Sequence, residues 1–205
     1  MTIATAKPKA EVRSIKVVEL RSAKDGEKTK ISGYAAVFNS PSEDLGGFIE
    51  VIKPGAFSRA LREKQDVVCV FNHDTDALMG RTRSGTLTLK EDTKGLFFEC
   101  TLPDTQAARD MASLIDRGDV YGCSFRFRPN YANPDCQRWL FTDQQDVREL
   151  LDVDLFDVGP VTEPAYEATD VALRSRDEAR AKNAPAPKSA PNRKRWVELS
   201  EAEMA

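Results

Sequence analysis

Short runs in which apolar and polar residues alternate dominate the chain, and Gly, Pro, Asn and Asp separate them at intervals typical of β-rich folds. The alternation predicts strands over the following ranges: Val12–Leu20, Thr29–Phe38, Val67–Phe71, Gly85–Lys90, Gly95–Leu102, Val120–Phe127, Arg138–Phe141 and Val147–Val158. We expect the first of these strands to pair with the second, and Glu91–Gly95 to form a hairpin turn. The sheet is predicted to close on itself.

Helices are predicted where apolar residues recur at helical spacing. Pro54 fits the first turn of the segment 54–63, in which Ala56, Phe57, Ala60 and Leu61 form one apolar stripe. Asp104 or Thr105 can cap a second helix, which Gly118 ends. Because strands and helices do not alternate as in βαβ units, a parallel Rossmann-like sheet is not expected. The predicted class is α+β, with a closed, mostly antiparallel β-barrel and a few surrounding helices.

The chain of 205 residues is predicted to hold one domain with tails at both ends. Residues 1–28 are interpreted as an N-terminal arm with the first strand, 29–173 as the barrel domain, and 174–205 as a charged tail rich in Ala and Pro. The tail cannot bury enough apolar surface to offset the entropy of ordering it, so we expect it to be flexible. Its apolar spot at Trp196 is either a docking peptide or part of a frayed terminus.

Composition excludes several classes of function. Lys and Arg number 30 against 33 Asp and Glu, a formal charge of -3 that calls for neither nucleic acid nor an anionic membrane. No apolar run approaches the roughly 20 residues of a membrane span, and the N-terminus lacks a signal-peptide core, so a cytoplasmic protein is expected. The cysteines show no CxxC spacing: Cys69, Cys100, Cys123 and Cys136. We interpret them as reduced and expect no metal site.

His73 is the only histidine in the sequence, so any chemistry that needs an imidazole must use it. It stands just after the apolar run Val67–Phe71, and Asn72 lies between the run and the histidine. Imidazole titrates near neutral pH and is the usual proton shuttle of hydrolytic sites. Taken alone, the position is explained more simply by a turn that Asn72 and Asp74 form around the histidine. Both interpretations stay open at this point.

Ser124 is the candidate nucleophile. Strand alternation places it on one face with Arg126 and Arg128, and places Cys123 with the aromatic residues on the other. The surroundings are not the G-x-S-x-G elbow of α/β-hydrolases, because Arg126 replaces the last glycine and no helix follows. Cys123 is intrinsically the stronger nucleophile, but its phase predicts burial. The simpler alternative for Ser124 is a solvent-facing serine on a strand.

Asp157 is the candidate carboxylate. Leu151, Val153 and Leu155 alternate onto one predicted face, and Asp157 continues that phase. A buried carboxylate needs a partner, because leaving it unpaired is costly. Besides an imidazole, backbone N–H groups at the strand end or Arg126 could supply that partner.

Several motifs in register carry a resemblance to a known family. In chain order they are Gly33-Tyr34-Ala35-Ala36-Val37-Phe38-Asn39, Glu50-Val51-Ile52-Lys53-Pro54-Gly55-Ala56-Phe57, Phe71-Asn72-His73-Asp74, Gly80-Arg81-Thr82, Gly122-Cys123-Ser124-Phe125 and Asp157-Val158-Gly159-Pro160-Val161-Thr162-Glu163-Pro164-Ala165. Together they resemble the phage prohead maturation proteases from Ile31 to Ala172. Those proteases in turn resemble the herpesvirus assemblins, which share a barrel of mostly antiparallel strands and a serine nucleophile on a strand.

The resemblance implies a serine endopeptidase with Ser124 as nucleophile, His73 as general base and Asp157 as the acid that orients the base. The family usually has glutamate in a Glu-Val-Ser run at the position of Asp157, and aspartate is one methylene shorter. Asp154 and Glu163 are the fallback acids. Assemblins use a backbone amide and an arginine to stabilise the oxyanion, so the resemblance makes Arg126 a candidate donor, with a solvated strand arginine as the alternative.

The function implied by the resemblance is cleavage of the major capsid protein and its scaffold segment inside the assembling prohead, in the host cytoplasm. The enzyme itself is a further expected substrate, because an unfolded tail can enter an active-site groove. No cofactor, metal, nucleic acid or membrane is implied. Two alternatives remain: a non-catalytic scaffold or capsid-interaction module that keeps the barrel, and a cysteine hydrolase that uses Cys123.

Overall fold

The computed structural model describes residues 10–16, 19–163 and 170–183, which fold mainly into strands. The strands are β1 (Glu11–Lys16), β2 (Arg21–Asp25), β3 (Lys28–Val37), β4 (Phe48–Ile52), β5 (Val68–Phe71), β6 (Asp74–Arg81), β7 (Leu87–Glu91), β8 (Gly95–Thr101), β9 (Gly122–Pro129), β10 (Gln137–Leu140), β11 (Asp146–Leu150) and β12 (Val153–Val161). The helices are α1 (Ser58–Arg62), α2 (Gln106–Arg117) and α3 (Asp170–Asn183). The apolar spot predicted at Trp196 lies outside the described residues.

The described strands form three open sheets, ordered β1-β9-β12-β5-β6, β10-β11-β4 and β2-β3-β8-β7. The pairs β12–β5 and β11–β4 are parallel and the others are antiparallel. No described sheet closes on itself, so the predicted assemblin-like closed β-barrel is wrong and the fold is mixed α+β with open sheets. The alternation of apolar and polar residues could not distinguish open sheets from a closed barrel. In both, a strand buries the side chains of one face and exposes those of the other.

The strands that the sequence did not predict, β2, β4 and β6, all lie at sheet edges. Strands β2 and β6 expose most of their residues, which hides the period-2 pattern, and β4 has only five residues. The predicted pairing of the first two strands is also wrong. Strand β1 pairs with β9, far along the chain, whereas β2 forms the hairpin with β3.

Helix α2 forms where its end signals predicted it. The Thr105 hydroxyl accepts a hydrogen bond from the Ala108 N–H at 3.3 Å, and Gly118 ends the helix with a φ of 80°. Its apolar side packs on the main core, which side chains of the five- and four-stranded sheets share. On β9 that core includes Cys123, Phe125 and Phe127, the face that the alternation predicted.

Helix α3 occupies the first part of the tail that was predicted to be flexible, over residues 174–183. Ala172 is buried in a small apolar cluster with Phe48, and Arg180 donates a hydrogen bond to Asp146 at 2.8 Å. The flexibility that the low apolar content of this segment predicts stays a prediction. The remainder of the tail lies outside the described residues.

A buried cluster of four charged side chains fastens β1 to the three-stranded sheet. Glu11 and Arg13 come from β1, Glu50 from β4 and Arg148 from β11, and each is at most 3% exposed. Arg148 bonds both glutamates, at 2.8 Å and 3.0 Å, and Arg13 does the same at 2.8 Å and 2.9 Å. Burial acts to raise the pKa of Glu11, but Arg148 and then Arg13 outweigh it, so the pKa lies below its usual value.

We predict that Arg148→Met lowers the free energy of unfolding by about 3–5 kcal/mol, because it leaves two buried carboxylates with one cation. The matched control is Arg138→Met, whose guanidinium is 59% exposed beside Glu149. That change should cost at most about 1 kcal/mol. Urea denaturation of both variants measures the difference, and equal losses would contradict the assignment of a buried charge cluster.

Candidate active site

Ser124 lies on β9, between β1 and β12 in the five-stranded sheet. Its side chain points to the face opposite Phe125 and the main core, as the alternation predicted. The alternative interpretation of Ser124 as a solvent-facing serine is wrong, because Ser124 has no exposed surface. A buried hydroxyl on this face must find polar partners within the protein.

His73 occupies a two-residue hairpin loop. Phe71 on β5 pairs with Asp74 on β6, which leaves Asn72 and His73 as the loop. Their φ angles are 50° and 60°, the left-handed pair of a type I′ turn. Residues other than glycine adopt this conformation uncommonly, and it is concentrated at functional sites. The turn interpretation of His73 is therefore compatible with a chemical role.

The end of β12 holds this loop in place. The Asn72 N–H donates to the Pro160 carbonyl at 3.1 Å, and the Asn72 side-chain oxygen accepts from the Thr162 N–H at 3.0 Å. Sequence reasoning assigned Asn72 to the turn but missed Pro160 and Thr162 as its partners. The contacts fix the loop of His73 relative to the strand that carries Asp157.

Asp157 reaches the face of Ser124 through a β-bulge. Along β12, Leu155 pairs with Phe127, but Asp157 pairs with Arg126, so Phe156 is an extra residue in the strand. Uninterrupted alternation would have placed Asp157 on the core face with Leu155, as the sequence predicted. That placement is wrong, because the bulge turns the carboxylate to the opposite face.

Asp157, His73 and Ser124 form one hydrogen-bonded series. His73 Nδ1 lies 2.7 Å from Asp157 Oδ1, and His73 Nε2 lies 2.5 Å from Ser124 Oγ. The carboxylate is fully buried, whereas the imidazole is 20% exposed. A carboxylate that accepts a hydrogen bond from Nδ1–H holds the imidazole in the tautomer with no proton on Nε2. In that tautomer Nε2 can act as a base. Aspartate is therefore long enough in this chain to contact the imidazole.

Arg126 lies beside the acid of this series. Its Nε is 2.7 Å from Asp157 Oδ2, but the N–H is not aligned for a hydrogen bond, so the contact is an ion pair. The sequence offered Arg126 as an alternative to the imidazole as the partner of Asp157. In the structure Asp157 contacts both His73 and Arg126. The predicted role of Arg126 in stabilising an oxyanion stays a prediction.

The other sequence candidates lie in different surroundings. Asp154 pairs with Arg59 at 2.7 Å and with Arg128 at 2.9 Å, and Glu163 is exposed. Cys123 is fully buried on the core face, and burial raises the pKa of its thiol. In the described part of the chain, no group of three or more His, Cys, Asp and Glu side chains is arranged to hold a metal ion.

Strand β1 covers Ser124. Sequence reasoning missed this position of β1, because pairing between distant strands leaves no local signal. The Ser14 hydroxyl donates to Ser124 Oγ at 3.0 Å, and the Ser124 hydroxyl donates to the Arg13 carbonyl at 2.9 Å. A hydroxyl has only one proton. The Arg13 carbonyl and His73 Nε2, which lies 2.5 Å from Ser124 Oγ, therefore compete for that proton.

Gly159 allows β5 to approach β12 closely. A Cβ atom at this position would lie 1.9 Å from the Val70 carbonyl oxygen, so no side chain fits without a backbone shift. Val70 precedes His73 by three residues. The close approach thus contributes to the distance at which the shorter aspartate contacts the imidazole.

A serine, an imidazole and a carboxylate in a hydrogen-bonded series form the arrangement of serine hydrolases, which recurs on unrelated folds. Residues 16–183 match the family model described as Caudovirus prohead serine protease. The chain therefore belongs to the Caudovirus prohead serine protease family, and the resemblance seen in its motifs is confirmed.

The fold is similar to a solved structure, that of the bacteriophage T4 capsid assembly protease, gp21, with a TM-score of 0.50 and 10% identity. The match covers 78% of this chain and 100% of the T4 chain. At this identity the likeness shows a shared fold alone. No curated protein matches the sequence. Among the described residues, no helix is long and apolar enough to cross a membrane.

We predict that Asp157→Asn lowers kcat by about 10⁴-fold without unfolding the protein, because asparagine favours the wrong imidazole tautomer. The matched control is Asp154→Asn on the same strand, which should keep most of the activity. Steady-state proteolysis, with circular dichroism to check folding, measures both variants. Equal activity of Asp157→Asn and the parent would move the orienting role to another acid.

We also predict that Gly159→Ala lowers kcat by about 100-fold, because the added methyl group must displace β5 and with it His73. Gly33→Ala is the control, since its Cβ would make contacts no shorter than 3.4 Å. Turnover of both variants is measured beside their melting temperatures. Loss of stability with an unchanged kcat for the folded fraction would show that Gly159 does not position the imidazole.

Proposed function

We propose that this chain is a serine endopeptidase that cleaves the major capsid protein and its scaffold segment during prohead maturation, inside the assembling shell in the host cytoplasm. The observation that supports it most is the series Asp157–His73–Ser124, with contacts of 2.7 Å and 2.5 Å. Membership in the prohead serine protease family supports the class of substrate. The chain itself is proposed as a further substrate.

In the proposed mechanism, Ser124 Oγ attacks the scissile carbonyl carbon while His73 Nε2 takes its proton. His73 then gives that proton to the leaving amine, and water hydrolyses the acyl-enzyme in a second round. Asp157 keeps the Nδ1 proton hydrogen bonded, which holds the ring in place through both steps. Arg126 forms an ion pair with the carboxylate on the side away from the imidazole.

Access to Ser124 requires a change at β1. Ser124 has no exposed surface, and the Arg13 carbonyl oxygen lies 2.9 Å from its hydroxyl oxygen. A substrate can therefore reach the nucleophile only after β1 leaves the edge of β9. Departure of β1 would also remove the Arg13 carbonyl that competes with His73 for the hydroxyl proton.

The alternative is a non-catalytic scaffold or capsid-interaction module. Two features weigh against it, namely a fully buried carboxylate aimed at the only imidazole and a strained left-handed conformation at that histidine. A cysteine hydrolase is disfavoured because Cys123 faces the core and its thiol pKa is raised.

Incubation of the purified full chain with capsid precursor tests the proposal. We expect Ser124→Ala and His73→Ala to reduce the cleavage rate by at least about 10³-fold while both variants stay folded. Cys123→Ala is the matched neighbour and should cleave at nearly the parent rate. Full activity of Ser124→Ala would overturn the proposal, and activity that disappears only in Cys123→Ala would favour a cysteine enzyme.

A further inference from the structure

Strand β1 lies against Ser124 in the manner expected of a bound peptide. It pairs as an antiparallel strand with the edge of β9 opposite β12, with Ser14 opposite Ser124. Addition of an extended peptide to a sheet edge is a common mode of recognition. The Arg13 carbonyl oxygen lies 2.9 Å from Ser124 Oγ, so the Arg13–Ser14 bond is the one that β1 presents to the nucleophile.

The side chain before that bond enters the buried charge cluster, where Glu50 is its carboxylate partner outside β1. Arg13 donates from Nε and Nη2 to the two carboxylate oxygens of Glu50, at 2.9 Å and 3.1 Å. Its guanidinium also lies over the ring of Phe127, at 5.6 Å from the centroid. The two-pronged geometry favours a guanidinium over other side chains.

The side chain two positions earlier enters the same cluster, where Arg148 is its cationic partner outside β1. Glu11 accepts from Arg148 Nη1 at 2.8 Å and from Arg148 Nη2 at 3.0 Å. Both residues are 0% exposed. Val12, between the two charged residues, points to the other face of the strand and is half-buried. Two residues outside β1, Glu50 and Arg148, therefore contact the charged side chains at alternate positions of the strand.

Anchoring alone is a poor explanation for these charges. Well-packed apolar side chains of similar volume would hold a strand at least as firmly as buried ion pairs do. Buried charges instead penalise the wrong partner, because a mismatched side chain leaves a desolvated charge unpaired. The arrangement discriminates between peptides more effectively than it stabilises the fold.

We propose that Glu50 and Arg148 are specificity-determining residues of the protease. Glu50 selects a basic residue immediately before the cut, and Arg148 selects an acidic residue two positions before that basic one. The assignment rests on the proposed function. In the step it describes, Ser124 Oγ bonds to the carbonyl carbon of the basic residue, the bond to the next nitrogen breaks, and that nitrogen takes the proton from His73.

The test uses the full chain carrying Glu11→Ala and Arg13→Ala, so that its own β1 is held less tightly. Quenched fluorescent peptides with the sequence of residues 9–18 are the substrates, and kcat/KM is measured for each. Reversal of either charge in the peptide, Arg13→Glu or Glu11→Arg, should lower kcat/KM by about 100-fold. Val12→Ala in the peptide is the control and should change kcat/KM less than about threefold.

The enzyme side is tested with Glu50→Gln added to the same chain. It should remove the preference for Arg13 over Arg13→Leu in the peptide while the preference for the acidic residue remains. If the doubly substituted chain does not fold, the unaltered chain is incubated with capsid precursor instead. Mass spectrometry then maps the sites at which it cuts the precursor. Each mapped site should have a basic residue before the cut and an acidic residue two positions earlier.

Cleavage of capsid precursor by the same preparations separates this inference from the proposed function. If the precursor is cut but the peptides show no charge preference, or the mapped sites lack the acidic and basic residues, the inference is overturned and the proposed function stands. If neither the precursor nor any peptide is cut, the proposed function fails and the inference fails with it.

Discussion

The register of β12 against β9 is the constraint on which the candidate site depends. One extra residue, Phe156, shifts the register so that Asp157 pairs with Arg126 and faces the same side as Ser124. Without that bulge the carboxylate would point into the apolar core, where it would be unpaired and costly. Bulges are often found beside active sites because they re-aim a single side chain without disturbing the rest of the sheet.

The second requirement is the position of His73 between the two strands. It is met by a tight turn at the end of β5 rather than by a strand, and the turn is fixed from outside by the Asn72 contacts to Pro160 and Thr162. Gly159 adds to this by letting the Val70 carbonyl approach β12. The strand that supplies the acid therefore also positions the base, which keeps the contact between them short.

Sequence patterns were informative where the physics is local. Alternation placed Ser124 and Cys123 on opposite faces of β9, and Thr105 and Gly118 marked the ends of α2. The same reasoning failed where distant segments decide the outcome. The bulge at Phe156, the pairing of β1 with β9 and the open sheet edges depend on contacts between residues far apart in the chain. Asp157 was chosen by a phase argument that put it on the wrong face, and the family resemblance then gave it the role of the orienting acid.

The central claim is that Asp157 holds the proton of His73 Nδ1 so that the other ring nitrogen can serve Ser124. Because the chain has one histidine, proton NMR of its ring can be assigned without ambiguity. The account predicts a slowly exchanging, downfield Nδ1 proton in the parent chain and in Ser124→Ala, and its disappearance in Asp157→Asn. An Nδ1 proton that exchanges freely in the parent chain, or one that survives in Asp157→Asn, would contradict it.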